Sequence, residues 1–121
     1  MATNARTIRV FLRLDIEGAD SIGPGKIRLL ENVRDLGSIS AAARAMKMSY
    51  RRAWLLTESL NNTFKSPMVV SAAGGKRGGG AVLTPAGARL VSRYRGLERA
   101  AAKAGARELR AVAAAARARK T

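Results

Sequence analysis

The chain has 121 residues, a mass of 12.8 kDa and a formal charge of +15, from 23 basic and 8 acidic side chains. It contains neither cysteine nor histidine, which excludes disulfides, thiolate or imidazole metal sites and catalysis by a Cys-His or Ser-His pair. We therefore expect one small domain that is not an enzyme, needs no cofactor or metal, and binds a polyanion. Most of the charge lies in residues 61–121, which hold 13 basic and two acidic side chains. No apolar run approaches the ~20 residues that span a membrane, so we predict a cytoplasmic protein without a membrane partner.

The first predicted elements are a strand and a helix. Residues 7–16 alternate strictly between two faces, which indicates a β-strand with one buried side. A loop containing glycine and proline follows. Apolar residues then recur at helical spacing from Gly25, and Gly37 is placed to end that helix as a C-cap. The buried stripe of this helix is predicted to be Ile27, Leu30 and Val33 with either Leu29 or Leu36.

Two short helices joined by a tight turn are predicted between residues 37 and 64. The first begins at Ser38 or Ser40, either of which can cap a helix, and it runs to about Met46. Ser49 can cap the second helix. Alanines lie where the two helices must cross, so that the backbones can approach. This pattern is typical of a helix-turn-helix, although any alanine-rich helical hairpin shares part of it.

The second helix of this pair carries the predicted major-groove residues. Its apolar face is formed by Ala53, Leu56, Leu60 and Phe64, with Thr57 beside them. Arg51 and Leu55 project from the opposite face and Arg52 from its flank, in the first turns, where a recognition helix meets base edges. Arginine can bond guanine O6 and N7, and Tyr50 can contact a phosphate or a base edge. We predict DNA contacts by Ser49, Tyr50, Arg51, Arg52 and Leu55.

Two other interpretations concern side chains of the same helix. The alternative for Arg51 and Arg52 is a merely solvated face, which is the default in so basic a chain. Trp54 is the only tryptophan, and we interpret it as a packing anchor between this helix and a neighbouring element.

A β-hairpin with a glycine-rich loop is predicted next. The short β-branched segments 68–71 and 81–84 flank that loop, which carries Lys76 and Arg77 between Gly75 and Gly78. We interpret it as a wing whose four named residues hold the DNA backbone or minor groove. A merely flexible tip is the alternative. The glycine spacing does not match that of a nucleotide-binding P-loop.

A long C-terminal helix is predicted to begin at Thr84 and Pro85, by cap and N1 proline. Its apolar stripe consists of Leu90, Val91, Tyr94, Leu97 and Ala101, followed by Leu109, Val112 and Ala116. Gly105 is a candidate break. A stripe that extends past a small domain predicts a second subunit, hence a homodimer. We divide the chain into a DNA-binding domain, residues 1–97, and a helical extension with a basic alanine-rich tail, residues 98–121.

Three segments together resemble a known family. They are Gly-Ser-Ile-Ser at 37–40, Ser-Tyr-Arg-Arg-Ala-Trp at 49–54 and Gly-Gly-Lys-Arg-Gly-Gly-Gly-Ala-Val-Leu-Thr at 74–84. The chain, over roughly residues 7–97, is similar to the N-terminal DNA-binding domain of ModE-type molybdate-dependent transcriptional regulators, whose helix-turn-helix is similar to that of LysR-type regulators. The resemblance implies a winged helix-turn-helix, dimerisation through this domain and operator binding. Members of that family continue into a C-terminal oxyanion-binding module, which we expect this chain to lack.

The expected fold is therefore mainly α with a small β-sheet, a winged helix-turn-helix with an N-terminal strand and a long C-terminal helix. The expected function is sequence-specific binding of double-stranded DNA by a dimeric transcriptional regulator at the nucleoid. One alternative is a nucleoid-associated architectural protein with little sequence preference, which the basic C-terminal half favours. A second alternative is an oxyanion sensor for molybdate or tungstate, which the family resemblance implies.

Overall fold

The computed structural model describes residues 6–72 and 79–117. Within these ranges the protein is mainly helical, with five helices and one two-stranded antiparallel sheet. The order along the chain is α1 (Pro24–Leu36), α2 (Ile39–Ala45), α3 (Tyr50–Thr63), β1 (Val69–Ala72), β2 (Gly80–Leu83), α4 (Pro85–Ala104) and α5 (Ala106–Ala115). The predicted class, mainly α with a small sheet, is confirmed. None of these helices is both long enough and apolar enough to cross a bilayer.

The predicted N-terminal strand is wrong. Residues 7–15 keep the expected alternation of burial, with Leu12 and Leu14 half-buried and Phe11 exposed, whereas Ile16, expected on the buried side, is exposed. Their backbone, however, makes only one bridge, in which Leu14 and Ile22 exchange hydrogen bonds of 2.8 and 2.9 Å. The hydroxyl of Tyr94 donates to the Leu12 carbonyl oxygen at 2.5 Å. A side chain from α4 therefore occupies one of the positions that a neighbouring strand would need.

Helix ends follow the local signals of the sequence. Gly37 ends α1 in the left-handed region, at φ 79°. The hydroxyls of Ser38, Ser49 and Thr84 accept backbone N–H groups three residues on, at 3.0, 3.1 and 3.0 Å, and so cap α2, α3 and α4. Ser38, rather than Ser40, is thus the cap of α2. Lys47 adopts a φ of 55°, which turns the chain sharply between α2 and α3.

The core lies between α1, α2, α3, the hairpin and the first half of α4. Its buried apolar residues are Ile22, Ile27, Leu29, Leu30, Val33, Ala42, Ala43, Ala53, Leu60, Met68, Val69, Ala81, Val91 and Tyr94. Leu29 is buried and Leu36 is exposed, which decides between the two residues left open for α1. The alanines at the crossing of α2 and α3 are buried, as predicted.

The hairpin is held at its base on three sides. β1 and β2 pair with Val69 opposite Leu83, and the Ala81 N–H donates to the Gly37 carbonyl at 2.9 Å. A Cβ added at Gly87 would lie 2.2 Å from the Met68 carbonyl oxygen, so that α4 begins in direct contact with the backbone before β1. The third contact is a side-chain clamp from α3.

Asn61 provides that clamp. Its Oδ1 accepts the N–H groups of Met68 at 2.8 Å and Val69 at 3.1 Å, and its Nδ2 donates to the Val69 carbonyl at 3.0 Å. Three backbone groups at the start of β1 are satisfied by one side chain. The clamp therefore fixes the hairpin's position against the C-terminal half of α3.

The long C-terminal helix is interrupted at the predicted glycine. α4 spans 20 residues, and Gly105 separates it from α5, in which no residue is buried. Leu97 and Val112 are both exposed, so the apolar stripe continues on the surface beyond the core. α4 runs without a break through residue 97, and the division of the chain there stays a prediction.

An ion-pair network joins α4 to α1. Arg95 contacts Glu31 through Nη2 and Glu98 through Nη1, at 2.7 Å each. The hydrogen bonds to Glu31 and Glu98 raise the pKa of Arg95 above its usual range. Burial, and then the charge of Glu98, raise the pKa of the Tyr94 phenol, which stays protonated and able to donate at neutral pH.

The close approach at Gly87 predicts a large loss of stability in Gly87→Ala. The added methyl must push α4 away from Met68, at a cost of about 3 kcal/mol, offset by about 1 kcal/mol of helix propensity. Gly96→Ala, on the same helix, is the control, because the added Cβ would lie 3.7 Å from the flexible end of Arg99, an ordinary contact. We expect Gly96→Ala to be neutral or stabilising. Urea unfolding followed by circular dichroism measures both, and equal free energies of unfolding would contradict the proposed contact.

The clamp predicts that Asn61→Ala leaves backbone groups of Met68 and Val69 without partners. The expected loss is about 1–3 kcal/mol of unfolding free energy, with faster hydrogen exchange at these two amides. Asn62→Ala, the exposed neighbour, should stay within about 0.5 kcal/mol of wild type. Exchange rates that rise equally in both variants would show that the clamp does not hold the hairpin.

Candidate nucleic-acid interface

α3 presents one buried and one exposed side. Ala53, Thr57 and Leu60 are buried, and Leu56 and Phe64 are half-buried against the core, as the predicted apolar face requires. The Thr57 hydroxyl donates to the Ala53 carbonyl at 2.9 Å, so this buried polar group is satisfied within the helix. The side that does not face α1 and α2 is left to solvent.

The predicted major-groove residues lie together at the N-terminal end of α3. All of them are exposed: Ser49, Tyr50, Arg51, Arg52 and Leu55. Ser49 keeps its side chain on the backbone of Arg52 as the cap, which holds the first turn in place. Within residues 6–72 and 79–117, neither Arg51 nor Arg52 forms an ion pair. The structure exposes all five side chains at the same end of α3, and their contact with DNA stays a prediction.

A second network anchors the far flank of α3. Lys26 Nζ donates to Ser59 Oγ at 2.9 Å and to the Ser21 carbonyl at 2.8 Å. Ser59 in turn donates to Asp20 at 2.7 Å. α3 is therefore tied to the loop before α1 on this flank and to the hairpin, through Asn61, on the other.

A cleft of about 360 Å³ separates α3 from the hairpin. We call it the α3–hairpin cleft, and its lining includes Ser40, Tyr50, Trp54, Glu58, Asn61, Val70 and Ser71. It is bounded by one flank of α3, by the hairpin strands β1 and β2, and by the start of α2. Sequence reasoning missed Glu58 and Asn61, for which helical periodicity gives no signal beyond their position on this flank.

The interpretation of Trp54 as a packing anchor is wrong. Its side chain is 44% exposed and lines the α3–hairpin cleft. Successive helical residues are about 100° apart, so the side chain that follows buried Ala53 points along the flank of α3. There it lines the cleft and does not join the buried core. Trp54 thus joins the exposed set at the start of α3.

The predicted wing residues Gly75, Lys76, Arg77 and Gly78 lie outside the described residues. The base of the hairpin is described, and there Val70 and Val82 are register partners that are both exposed. Paired residues share one face of a hairpin. This face of the sheet therefore carries apolar side chains next to the α3–hairpin cleft.

A separate cationic cavity, of about 530 Å³, lies between the C-terminal end of α3 and the start of α4. Its apolar lining includes Phe64, Met68 and Leu90, and its basic lining is Lys65, Arg89 and Arg93. No acidic side chain contributes to this lining among the residues described. Across the same residues no three acidic side chains gather to hold a metal ion.

Comparison with known proteins gives clear relatives, although no protein-family model matches the chain. The chain is 46% identical over 82 residues to the molybdenum-pterin-binding protein MopB of Rhodobacter capsulatus, covering 68% of this chain and 30% of MopB. It is 41% identical over 87 residues to the molybdenum transport protein ModE of Azotobacter vinelandii, covering 72% of this chain and 32% of that protein. It is 38% identical over 85 residues to the DNA-binding transcriptional dual regulator ModE of Escherichia coli K12, covering 70% of this chain and 32% of that protein.

The chain spans about a third of the length of each of these relatives. That the matched third is their DNA-binding domain stays a prediction. The resemblance to ModE is confirmed as a sequence relationship, and the homologues of this chain are the ModE regulators and the Mop molybdenum-pterin-binding proteins.

Proposed function

We propose that this protein is a winged helix-turn-helix transcriptional regulator that binds double-stranded DNA sequence-specifically as a homodimer in the cytoplasm, and that it is not an enzyme. α2, the turn at Lys47 and α3 form the proposed helix-turn-helix, and β1 and β2 form the base of the proposed wing. The observation that carries the proposal is the two-sidedness of α3. Arg51 and Arg52 stand in solvent at its first turn, while Ala53 and Leu60 hold it in the core.

In this proposal α3 is the recognition helix. The major groove is about 12 Å wide and admits one helix, whose N-terminal residues meet base edges. Arg51 and Arg52 are the candidates for bidentate bonds to guanine, and Leu55 for an apolar contact. Ser49 and Tyr50, at the start of the helix, lie where phosphates approach a helix N-terminus.

The glycine-rich loop is proposed to hold the flanking backbone or minor groove. Lys76 and Arg77 supply the charge, and Gly75 and Gly78 allow close approach. The pairing of Ala72 with Gly80 marks where this loop leaves the sheet, on the hairpin that Asn61 fixes beside α3.

The proposed dimer uses the apolar stripe of α4 and α5. Leu97 is 48% exposed, and Val112 continues the stripe on α5. A second copy that covers these residues would remove apolar surface from water and place two α3 helices about a two-fold axis. The name of the Escherichia coli relative, a DNA-binding transcriptional dual regulator, supports the same class of function.

Selection from a random duplex library at physiological salt tests the proposal. We expect enrichment of an inverted repeat whose half-sites lie about one helical turn apart, bound at least ~10³-fold more tightly than scrambled DNA. If no sequence is enriched and all duplexes bind with equal affinity, the protein is instead an architectural DNA-binding protein.

The proposal divides the DNA contacts between Arg51, which reads bases, and Lys76, which holds the DNA backbone, and this division gives a further prediction. Arg51→Ala should cost about 1–3 kcal/mol on the selected site and relax base preference there, because a bidentate contact is lost. Lys76→Ala should weaken all duplexes alike and reduce the slope of log affinity against log salt by about one. Arg28→Ala, on the exposed side of α1, removes the same charge and is the control. If the Arg51 and Lys76 variants behave identically on every sequence, the division is wrong.

An oxyanion sensor is a second candidate function. Two relatives are named for molybdenum, and the cationic cavity brings Lys65, Arg89 and Arg93 together. A sensor should gain thermal stability with molybdate but not with equal sulfate, and Arg89→Gln should abolish the gain. An equal gain in thermal stability with both anions would show that the gain comes from ionic strength and would contradict a molybdate sensor.

A further inference from the structure

We propose that Trp54 contacts DNA bases directly and that the group it recognises is the C5-methyl of thymine in the major groove. This inference rests on the proposed function, and it adds a specificity-determining residue and a base to it. Trp54 is 44% exposed, between Tyr50 at 55% and Leu55 at 49% on the first turns of α3.

The exposed start of α3 carries three large aromatic or apolar side chains and two arginines. Large apolar side chains rarely gather on a free surface, and where they do the surface is usually one that binds. Here they interleave with Arg51 and Arg52, on a chain of charge +15. The matching partner must present anions or acceptors together with an apolar group. The major groove offers guanine acceptors, phosphates and one apolar group, the thymine methyl.

The α3–hairpin cleft argues for a base rather than a phosphate next to Trp54. The indole N–H is able to donate to a phosphate, but Glu58 lines the same cleft one turn further along α3. A carboxylate repels a phosphate. It is compatible with a base edge, because it accepts a hydrogen bond from the cytosine amino group.

The position of Trp54 on the helix supports the same assignment. It lies on the flank that faces the hairpin, with Tyr50 one turn before it and Glu58 one turn after it along that flank. Apolar contact by Trp54 and polar contact by Arg51 would then read neighbouring bases from one helix.

The test uses the duplex selected above, in which each thymine is replaced in turn by uracil. Uracil lacks the C5-methyl and keeps the pairing groups of thymine. We expect one position in each half-site at which uracil weakens wild-type binding about fourfold, the effect of one buried methyl. Trp54→Ala should weaken binding to the thymine duplex at least as much and should bind thymine and uracil equally at that position. Trp54→Phe should keep part of the discrimination.

Leu36→Ala is the matched control, because it truncates a similarly exposed apolar residue at the end of α1, outside the proposed DNA and dimer surfaces, and should keep the full thymine preference. Circular dichroism and sedimentation establish that each variant folds and keeps its oligomeric state. A wild-type thymine preference that persists unchanged in Trp54→Ala would overturn the inference, as would no response to uracil at any position. A Trp54→Ala variant that loses its dimer would assign the residue to a second copy and overturn it too. Failure to enrich any sequence would overturn the proposed function and this inference together.

Discussion

The arrangement of the candidate interface depends on the amide side chain of Asn61. A hydrophobic contact would keep α3 and the hairpin together without fixing their angle, because it is not directional. Three hydrogen bonds to Met68 and Val69 are directional, and they leave little freedom at the base of β1. Gly87 removes the steric obstacle on the opposite side, so that α4 begins against the same backbone. The hairpin is thus positioned by a polar clamp and a missing side chain.

The acidic side chains determine where positive charge stays available. Glu31 and Glu98 are engaged by Arg95, half-buried between α1 and α4, while Asp15 and Asp35 pair with arginines close to them in sequence on exposed surface. Exposed pairs of this kind add little stability, because water and salt screen them. Their effect is to neutralise charge away from α3. Glu58 lines the α3–hairpin cleft, where its carboxylate would repel a phosphate that entered the cleft.

The sequence predicted those elements whose signals are local. The caps Ser38 and Ser49, the C-cap at Gly37 and the break at Gly105 depend on residues within one helical turn, and all of them hold. The prediction of an N-terminal strand was wrong because an alternating pattern reports only that one side is buried. It does not show whether the backbone bonds a neighbouring strand or, as at Leu12, a tyrosine hydroxyl.

The exposed tryptophan and the clamp needed tertiary information. Trp54 was assigned to packing from its residue type, yet its side chain lies at the α3–hairpin cleft and stays partly exposed. The partners of Asn61 lie seven and eight residues ahead, across the turn into β1, so no helical or strand period connects them. The exposed positions of Arg51, Arg52 and Leu55 followed from the period of α3 alone. What they contact is a question of chemistry, which neither period nor burial decides.

DNA reading and anion sensing need not be exclusive in this fold. Met68, in the connection between α3 and β1, lines the cationic cavity, and its backbone N–H donates to Asn61 Oδ1. An anion that binds between Lys65 and Arg93 would therefore touch the segment that sets the angle between α3 and the hairpin. In the proposed complex, any change in that angle would alter how α3 and the hairpin meet the duplex. By linkage, an anion that changed DNA affinity would itself be bound more or less tightly by the same factor when DNA is present. The relation between the two candidate functions is thus a measurable coupling free energy.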